Sequence, residues 1–163
     1  MSKEELTQAD YKKIASAITK SIRGKQSQSK LSASLSKNHN LLYKIESGKR
    51  VIYWEEFTAL CKLLNFPLKN VLAQTRIFTE DLTAKEVILS NHLHMNSAKA
   101  AKCLKINLFT YNRMISGQKR LTLDIFLMIL DRLQFSLFDF LGHFPESKEI
   151  EKYIDLVERP LFK

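Results

Sequence analysis

The chain has 163 residues, of which 45% are hydrophobic and 26% charged, which is enough apolar material for one full-sized domain or two small ones. Its four glycines and three prolines are too few for a strand-dense fold, which needs many turns, so the composition favours helices. The longest apolar stretches, such as 123–130, are short and interrupted by aspartate, and the N-terminus is charged. These features argue against a membrane-spanning segment and against a signal peptide.

The formal net charge is +9, and most of the excess lies in the first half of the chain. Residues 1–75 hold 13 basic and 6 acidic side chains, a net charge of +7, whereas residues 76–163 hold 13 and 11, a net charge of +2. A basic half favours a polyanionic partner, and nucleic acid fits better than a membrane because no basic amphipathic helix flanks a long apolar run. A generic basic surface that aids solubility explains the same charge.

An internal repeat is found when 69 is added to each residue number of the first half. Gly48 then falls on Gly117 and Phe57 on Phe126, and the register holds without a gap from about residue 27 to residue 72. Two similar units are the simplest explanation. We therefore predict an all-α protein of two five-helix units and a C-terminal helix. The predicted boundaries are 1–74 for the first unit, 75–82 for a linker, 83–142 for the second unit and 143–163 for the tail.

The helices of the first unit are predicted from apolar spacing and from residues that begin or end helices. Tyr11 to Ile22 has apolar residues every three or four positions, which indicates helix one, ending near Gly24. Ser27 is a candidate cap for helix two, and Asn38 is a candidate cap for helix three. The remaining features are buried positions at Leu31, Leu35, Leu42 and Ile45, a left-handed Gly48 that ends helix three, helix four over Tyr53–Leu64, and Pro67 in the first turn of helix five.

The second unit repeats this order, and the tail adds one more helix. The predicted helices of the second unit are 85–93, 97–104, 108–115, 123–133 and 137–141. In the tail, Ile150, Tyr153, Ile154 and Val157 have helical spacing. A closing amphipathic helix is therefore expected there.

The segment from Ser27 to Arg50 resembles the helix-turn-helix of the lambda repressor/Cro-type family, often called Xre-like. That family's pattern is Ser-Gln-x-x-Leu-Ala, a turn, a polar recognition helix, and then Ile-Glu-x-Gly-Lys-Arg. The matching positions here are Ser27, Gln28, Leu31, Ser32, Ile45, Glu46, Gly48, Lys49 and Arg50. The resemblance covers residues 10–72 well and residues 85–141 more weakly, so it implies two tandem helix-turn-helix lobes of which the second is degenerate.

The resemblance also implies a function. Such a chain is expected to be a transcriptional regulator, a repressor in preference to an activator, that binds double-stranded DNA as a homodimer on paired half-sites. A cytoplasmic, nucleoid-associated protein of bacterial or phage-like type follows from the same resemblance. Nothing in the sequence indicates a cofactor, a metal, a membrane partner or a small-molecule effector.

Helix three of the first unit has the two faces that entry into the major groove requires. With Leu42 and Ile45 inward, the candidates for reading bases lie on the opposite side: His39, Asn40, Tyr43 and Lys44. Asn can pair bidentately with adenine, and Lys can donate to guanine. The candidates for phosphate contact are Gln28, Asn38, Lys49 and Arg50. An ordinary solvated helix face explains the same polar residues.

Two departures from the family pattern affect this segment. Ser36 and Lys37 replace the glycine and the apolar residue that the family usually places in the turn, which predicts a looser turn. A serine also stands where many relatives carry the basic partner of Glu46. We therefore expect Glu46 to pair with Lys20 or Arg23, or to face solvent.

The second unit is predicted to be the poorer DNA reader. Its equivalents of the four reading residues are Leu108, Phe109, Asn112 and Arg113. Exposed apolar residues on such a face usually mark a protein interface, so a dimerisation surface is expected. Lys119 and Arg120 leave a second DNA surface open as the alternative.

Other functional classes have weaker sequence support. His92, His94 and Cys103 lack a further close pair of ligands, and residues two apart diverge on a helix, so neither a metal site nor an enzyme is predicted. Cys61 and Cys103 fall on apolar helical faces, which favours reduced thiols over a disulfide. The open alternatives are a protein-interaction adaptor or antitoxin-like protein on a helix-turn-helix scaffold, and a binder of structured RNA, for which no aromatic stacking platform is present.

Overall fold

The computed structural model describes residues 5–36, 38–73, 77, 83–89, 96–133, 137–145 and 147–157. The described part contains eleven α-helices and one isolated antiparallel β-bridge, and no strand longer than that, which confirms the all-α prediction. The helices are α1 Gln8–Arg23, α2 Gln28–Leu35, α3 Leu41–Glu46, α4 Trp54–Leu63, α5 Leu68–Ala73, α6 Ala84–Leu89, α7 Ser97–Leu104, α8 Leu108–Ser116, α9 Leu123–Arg132, α10 Leu137–Leu141 and α11 Lys148–Val157.

The 69-residue repeat is visible in the helix bounds. Both ends of α2 and α7 differ by 69, and so do both ends of α4 and α9. The predicted glycine stops are also present, since Gly48 has φ +80° after α3 and Gly117 has φ +85° after α8. A left-handed residue that ends a helix favours glycine because it has no Cβ. Ser27 caps α2 as predicted, and its hydroxyl accepts the Lys30 N–H at 3.3 Å.

Asn38 does not cap helix three, and this prediction was wrong. α3 begins at Leu41, with Asn40 as the residue before it and no side-chain cap. The Asn38 side-chain oxygen instead accepts the Asn40 N–H at 2.8 Å, which closes a tight turn over residues 38–40. The segment 38–40 is therefore a turn that leads into α3 rather than its first turn of helix.

One hydrophobic core runs through both units. Apolar side chains of α1, α3 and α4 belong to the same cluster as those of α8, α9 and α10. α9 is the central helix, because residues on all its sides are buried, whereas α4 buries one side. The Trp54 and Phe126 rings lie 4.6 Å apart and join the two central helices. Leu31 and Leu35, predicted to be buried, are only partly buried at the edge of this core.

The packing of α1 on α9 is the most extensive helix–helix contact in the described residues. It joins the first helix of the first unit to the fourth helix of the second. The Tyr11 hydroxyl donates to Asp131 at 2.5 Å, and Gln8 approaches the Met128 sulfur at 3.0 Å. Burial and the Asp131 carboxylate raise the pKa of Tyr11 well above its usual value. The first unit therefore completes its core with a helix of the second.

The two units also pair at equivalent residues. Tyr53 and Thr122, which are 69 apart, face each other in the antiparallel bridge. The Trp54 N–H donates to the Leu121 carbonyl at 2.9 Å, and the Leu123 N–H donates to the Ile52 carbonyl at 3.0 Å. Trp54 and Leu123 are equivalent in the repeat, and so are Ile52 and Leu121, so each hydrogen bond is the repeat equivalent of the other. The pairing therefore has local two-fold symmetry. We call residues 52–54 and 121–123 the junction.

The predicted tail contains α11, which packs against the rest of the fold. α11 packs on α1 and α10, with Ile150 and Tyr153 buried, as expected for a closing amphipathic helix. The Ser21 hydroxyl donates to the Pro145 carbonyl at 2.7 Å and ties the tail to α1.

Within the predicted linker, Ile77 is buried in the core, and residues 75, 76 and 78–82 lie outside the described part. In the described residues, no helix has the length and apolar character needed to cross a bilayer.

Candidate nucleic-acid interface

α3 is held by its inner side and exposes its outer side. Leu41, Leu42 and Ile45 are buried, whereas Tyr43 is 51% exposed and Lys44 is exposed. Apolar residues at these positions fix one stripe of the helix against the core, so the residues between them must face out. The arrangement has the inner and outer faces that the sequence predicted for helix three.

Two hydroxyl contacts, one buried and one partly buried, fix the position and rotation of α3. The fully buried Ser32 of α2 accepts the Leu42 N–H at 2.9 Å, which occupies a backbone donor in the first turn of α3. The Ser16 hydroxyl of α1 donates to the Ile45 carbonyl at 2.7 Å at the other end. α3 is thus anchored to both preceding helices by polar contacts as well as by packing.

The turn before α3 carries two of the predicted reading residues. Asn38, His39 and Asn40 are all exposed, and they precede the helix instead of lying on it. His39 and Asn40 are therefore presented at the N-terminal end of α3, and Tyr43 and Lys44 on its side. The structure places all four on one continuous segment, 39–44.

Glu46, whose partner the sequence left open, is paired with Arg23. Its carboxylate accepts Arg23 Nε at 2.7 Å and Nη2 at 2.9 Å, and it also accepts the Gln28 side-chain amide at 3.0 Å. The Glu46 side chain is only 6% exposed, and its hydrogen bonds raise the pKa of Arg23. Glu46 is the only carboxylate between residues 27 and 53, so its neutralisation leaves the outer surface of this segment positive.

The same contact changes the role of one predicted phosphate ligand. The Gln28 side chain is directed to Glu46, so it connects α2 to the end of α3. The geometry gives it a positioning role, and phosphate contact by its side-chain amide stays a prediction.

The turn after α3 contains one exposed cation and one internal ion pair. Lys49 is exposed, and its Nζ lies 5.4 Å from the centre of the Tyr43 ring. Arg50, predicted to bind phosphate, instead makes a bidentate pair with Glu56 at 2.8 and 3.0 Å. Glu56 also accepts the Tyr53 N–H at 2.9 Å, so the pair fixes the turn to the start of α4. The geometry gives Arg50 a structural role, and phosphate contact by its guanidinium stays a prediction. Lys49 is the exposed cation of this turn.

The corresponding surface of the second unit is apolar at one end and polar along its side. Phe109 is 71% exposed and Leu108 is 46% exposed, and both stand at the start of α8. Asn112 and Arg113 are exposed one turn later, with the Arg113 guanidinium 5.7 Å from the centre of the Phe109 ring. All four predicted residues of this surface are thus accessible.

A charge pattern in the second unit is missed when charge is summed over half the chain. Residues 96–122 contain six basic side chains and no acidic one. They are Lys99, Lys102, Lys105, Arg113, Lys119 and Arg120. The 11 acidic residues of the second half all lie outside this stretch and lower the average. A shorter window along the sequence finds the signal.

Two of these basic residues make contacts outside their own unit. Lys105 pairs with Glu5. Arg120 reaches Glu55 at 3.1 Å, and its guanidinium carbon lies 3.8 Å from the centre of the Tyr53 ring. The guanidinium of Arg50 lies 5.4 Å from the centre of the same ring. The basic turns that follow α3 and α8 therefore meet at the junction.

Comparison of the chain with protein-family models, with curated proteins and with solved structures found no match.

Proposed function

We propose that this protein is a sequence-specific, double-stranded DNA-binding transcriptional regulator, a repressor in preference to an activator, built from two tandem helix-turn-helix units of the lambda repressor/Cro type. The observation that carries the proposal is the exposure of segment 39–44, which consists of the turn before α3 and the outer side of α3, on a helix anchored to α1 and α2 in a basic surrounding. Duplex DNA is the polyanion whose major groove admits an α-helix with such an outer face.

The roles follow from position. Asn40 and Lys44 offer the hydrogen-bonding groups that discriminate adenine and guanine, with His39 and Tyr43 beside them. Lys49 lies beyond the end of α3, where the chain leaves the groove, and contacts the phosphate backbone. Because phosphate contacts carry no sequence information, specificity in this proposal comes from segment 39–44.

The second candidate function is a protein-interaction adaptor or antitoxin-like protein. The exposure of Phe109 and Leu108 favours it, because apolar side chains of this size are usually covered by a partner. A homodimer through this surface is the version that the sequence predicts. Both remain proposals, and they require no DNA contact by segment 39–44.

The test is selection of binding sites from random duplex DNA with the full chain. We expect enrichment of one sequence motif, and we expect Asn40→Ala with Lys44→Ala to broaden it. Lys62→Ala, an exposed lysine on α4 with no place in the proposed surface, is the matched control and should leave the motif unchanged. The absence of any enriched motif would overturn the proposal and favour the adaptor.

A further inference from the structure

We infer that α8 and the turn after it form a second duplex-binding surface, so that one chain carries both DNA contacts of the protein. The inference rests on the proposed function and changes the expected occupant of the Leu108 and Phe109 surface from a second copy to DNA. Three independent features of the structure support it.

The first feature is charge. The stretch 96–122 has six basic side chains and no acidic one, whereas the equivalent stretch 27–53 has five basic residues and Glu46. The second helix-turn-helix is therefore at least as positive as the first. A surface of this kind is complementary to a line of phosphates.

The second feature is the repulsion that a homodimer would meet. A two-fold dimer places the same patch of both copies face to face. Contact through α8 would bring Arg113 and its basic neighbours against the same basic residues of the second copy, and like charges juxtaposed in an interface oppose association. The exposed apolar residues Leu108 and Phe109 lie among these basic side chains, so DNA fits the surface better than a second copy does.

The third feature is the junction. Its reciprocal hydrogen bonds place residues 52–54 of the first unit against the equivalent residues 121–123 of the second. Arg50 and Arg120, one from each basic turn, converge on the Tyr53 ring. The turns that follow α3 and α8 thus adjoin at the junction, as a single chain needs to contact adjoining segments of one duplex.

The chemistry of α8 indicates what it would contact. Asn112 and Arg113 offer hydrogen bonds to base edges, and Phe109 and Leu108 offer apolar contact to the thymine methyl group in the major groove. The two halves of the site would therefore differ, with a thymine preference in the half under α8. A bipartite, non-palindromic site is the expected ligand.

The experiment measures stoichiometry and salt dependence on a duplex selected with the full chain. Sedimentation of the complex should give one chain per duplex. The double variant Arg113→Ala, Lys119→Ala should weaken binding about tenfold or more and reduce the slope of log Kobs against log salt by about 0.9 for each phosphate that is no longer neutralised. The charge-matched control Lys69→Ala, Lys148→Ala, with both residues exposed and away from the junction, should leave the affinity unchanged.

The outcomes separate the two proposals. Two chains per duplex, with Phe109→Ser converting the protein to a non-binding monomer, would overturn the inference and establish the dimer. Unchanged affinity and slope in the α8 variant, with weakened binding in Lys44→Ala, Lys49→Ala, would also overturn it and leave the proposed function intact. A wild-type chain that binds no duplex would overturn the proposed function itself.

Discussion

The two units use the same asparagine at the same repeat position in different ways. Asn107 caps α8, with its side chain accepting the Thr110 N–H at 2.7 Å, three residues on. Asn38 accepts the N–H of Asn40, only two residues on, and α3 begins two repeat positions later than α8. Both are hydrogen bonds that an Asn side chain readily makes to nearby backbone, so the residues that follow decide between them.

The turn between the second and third helices differs as well. Lys105 ends α7 in the left-handed conformation with φ +59°, whereas the equivalent Ser36 ends α2 in an extended conformation with φ −158°. The two units thus keep the framework of helices and vary the short segment that positions the exposed residues. The repeat therefore preserves packing positions and has diverged at the surface.

The first test gives the first unit the residue of the second at position 46. The equivalent of Glu46 is Ile115, so Glu46→Ile should leave Arg23 partly buried without its carboxylate. Removing one partner of such a pair should lower the free energy of unfolding by about 3 kcal/mol, measured by urea denaturation.

Replacing both partners is the control for that experiment. Glu46→Ile with Arg23→Leu should recover most of the lost stability, because no charge is then stranded. A single variant as stable as the wild type would show that the ion pair contributes nothing to the anchoring of α3.

A second test concerns which segment discriminates sequences. Asn40→Ala and Lys44→Ala should each reduce the preference for the selected site over a mismatched one by about 1–3 kcal/mol, because each removes one of the proposed base contacts. Lys49→Ala should weaken binding to all duplexes nearly equally, because a phosphate contact carries no sequence information. Competition binding on matched and mismatched duplexes measures both effects.

Substitutions at Asn112 and Arg113 test whether the second unit also discriminates sequences. They should alter preference in the other half of the site if α8 reads DNA, and they should do little if the second unit serves only dimerisation. The opposite result would contradict the assignment of the first unit as the main reader. In that result, changes at Asn112 and Arg113 abolish discrimination between matched and mismatched duplexes, and changes at Asn40 and Lys44 leave it intact.

A third test concerns the contact of α1 with α9, which has no counterpart of comparable extent between α6 and α4 in the described residues. Tyr11→Phe removes the hydrogen bond to Asp131 and should cost about 1–1.5 kcal/mol at neutral pH. The pKa of Tyr11 is raised by folding, so the unfolded chain loses this proton first as the pH rises. Stability should therefore fall above about pH 10 in the wild type, and this share of the fall should vanish in Tyr11→Phe.

The smallest expected effect compares the two asparagines directly. Asn107→Ala removes an N-cap and should cost about 1 kcal/mol, whereas Asn38→Ala removes a hydrogen bond in an exposed turn and should cost less than half as much. Thermal unfolding of both variants measures the difference. Equal losses would mean that the two asparagines have the same structural role.

Sequence reasoning succeeded where a short-range rule decides the structure. Apolar spacing predicted the helices of the described residues, and glycine predicted the left-handed stop at Gly48, with Gly117 as its repeat equivalent, because these features depend on residues within one or two turns. Ser27 was found as a cap for the same reason. The inward positions Leu42 and Ile45 followed from periodicity alone.

The failures arose where distant residues or competing local bonds decide. The ion pair of Arg50 with Glu56 was not foreseen, because it depends on how the turn folds back onto α4. The start of α3 was misplaced because an Asn side chain can accept a hydrogen bond from the backbone either two or three residues further on. The junction was not foreseen, since the sequence contains no sign that Tyr53 and Thr122 face each other. The base-reading and dimer assignments stay predictions.

The contact of α1 with α9 has a consequence for the order in which the protein can fold. Tyr11 and Asp131 are 120 residues apart, so the face of α1 that covers α9 has no partner while the intervening chain is being made. At about 5–20 residues per second, that interval lasts about 6–24 s. Folding of the N-terminal helix is therefore tied to the completion of the second unit during synthesis, and a nascent chain stopped before α9 would present an uncovered apolar face to chaperones.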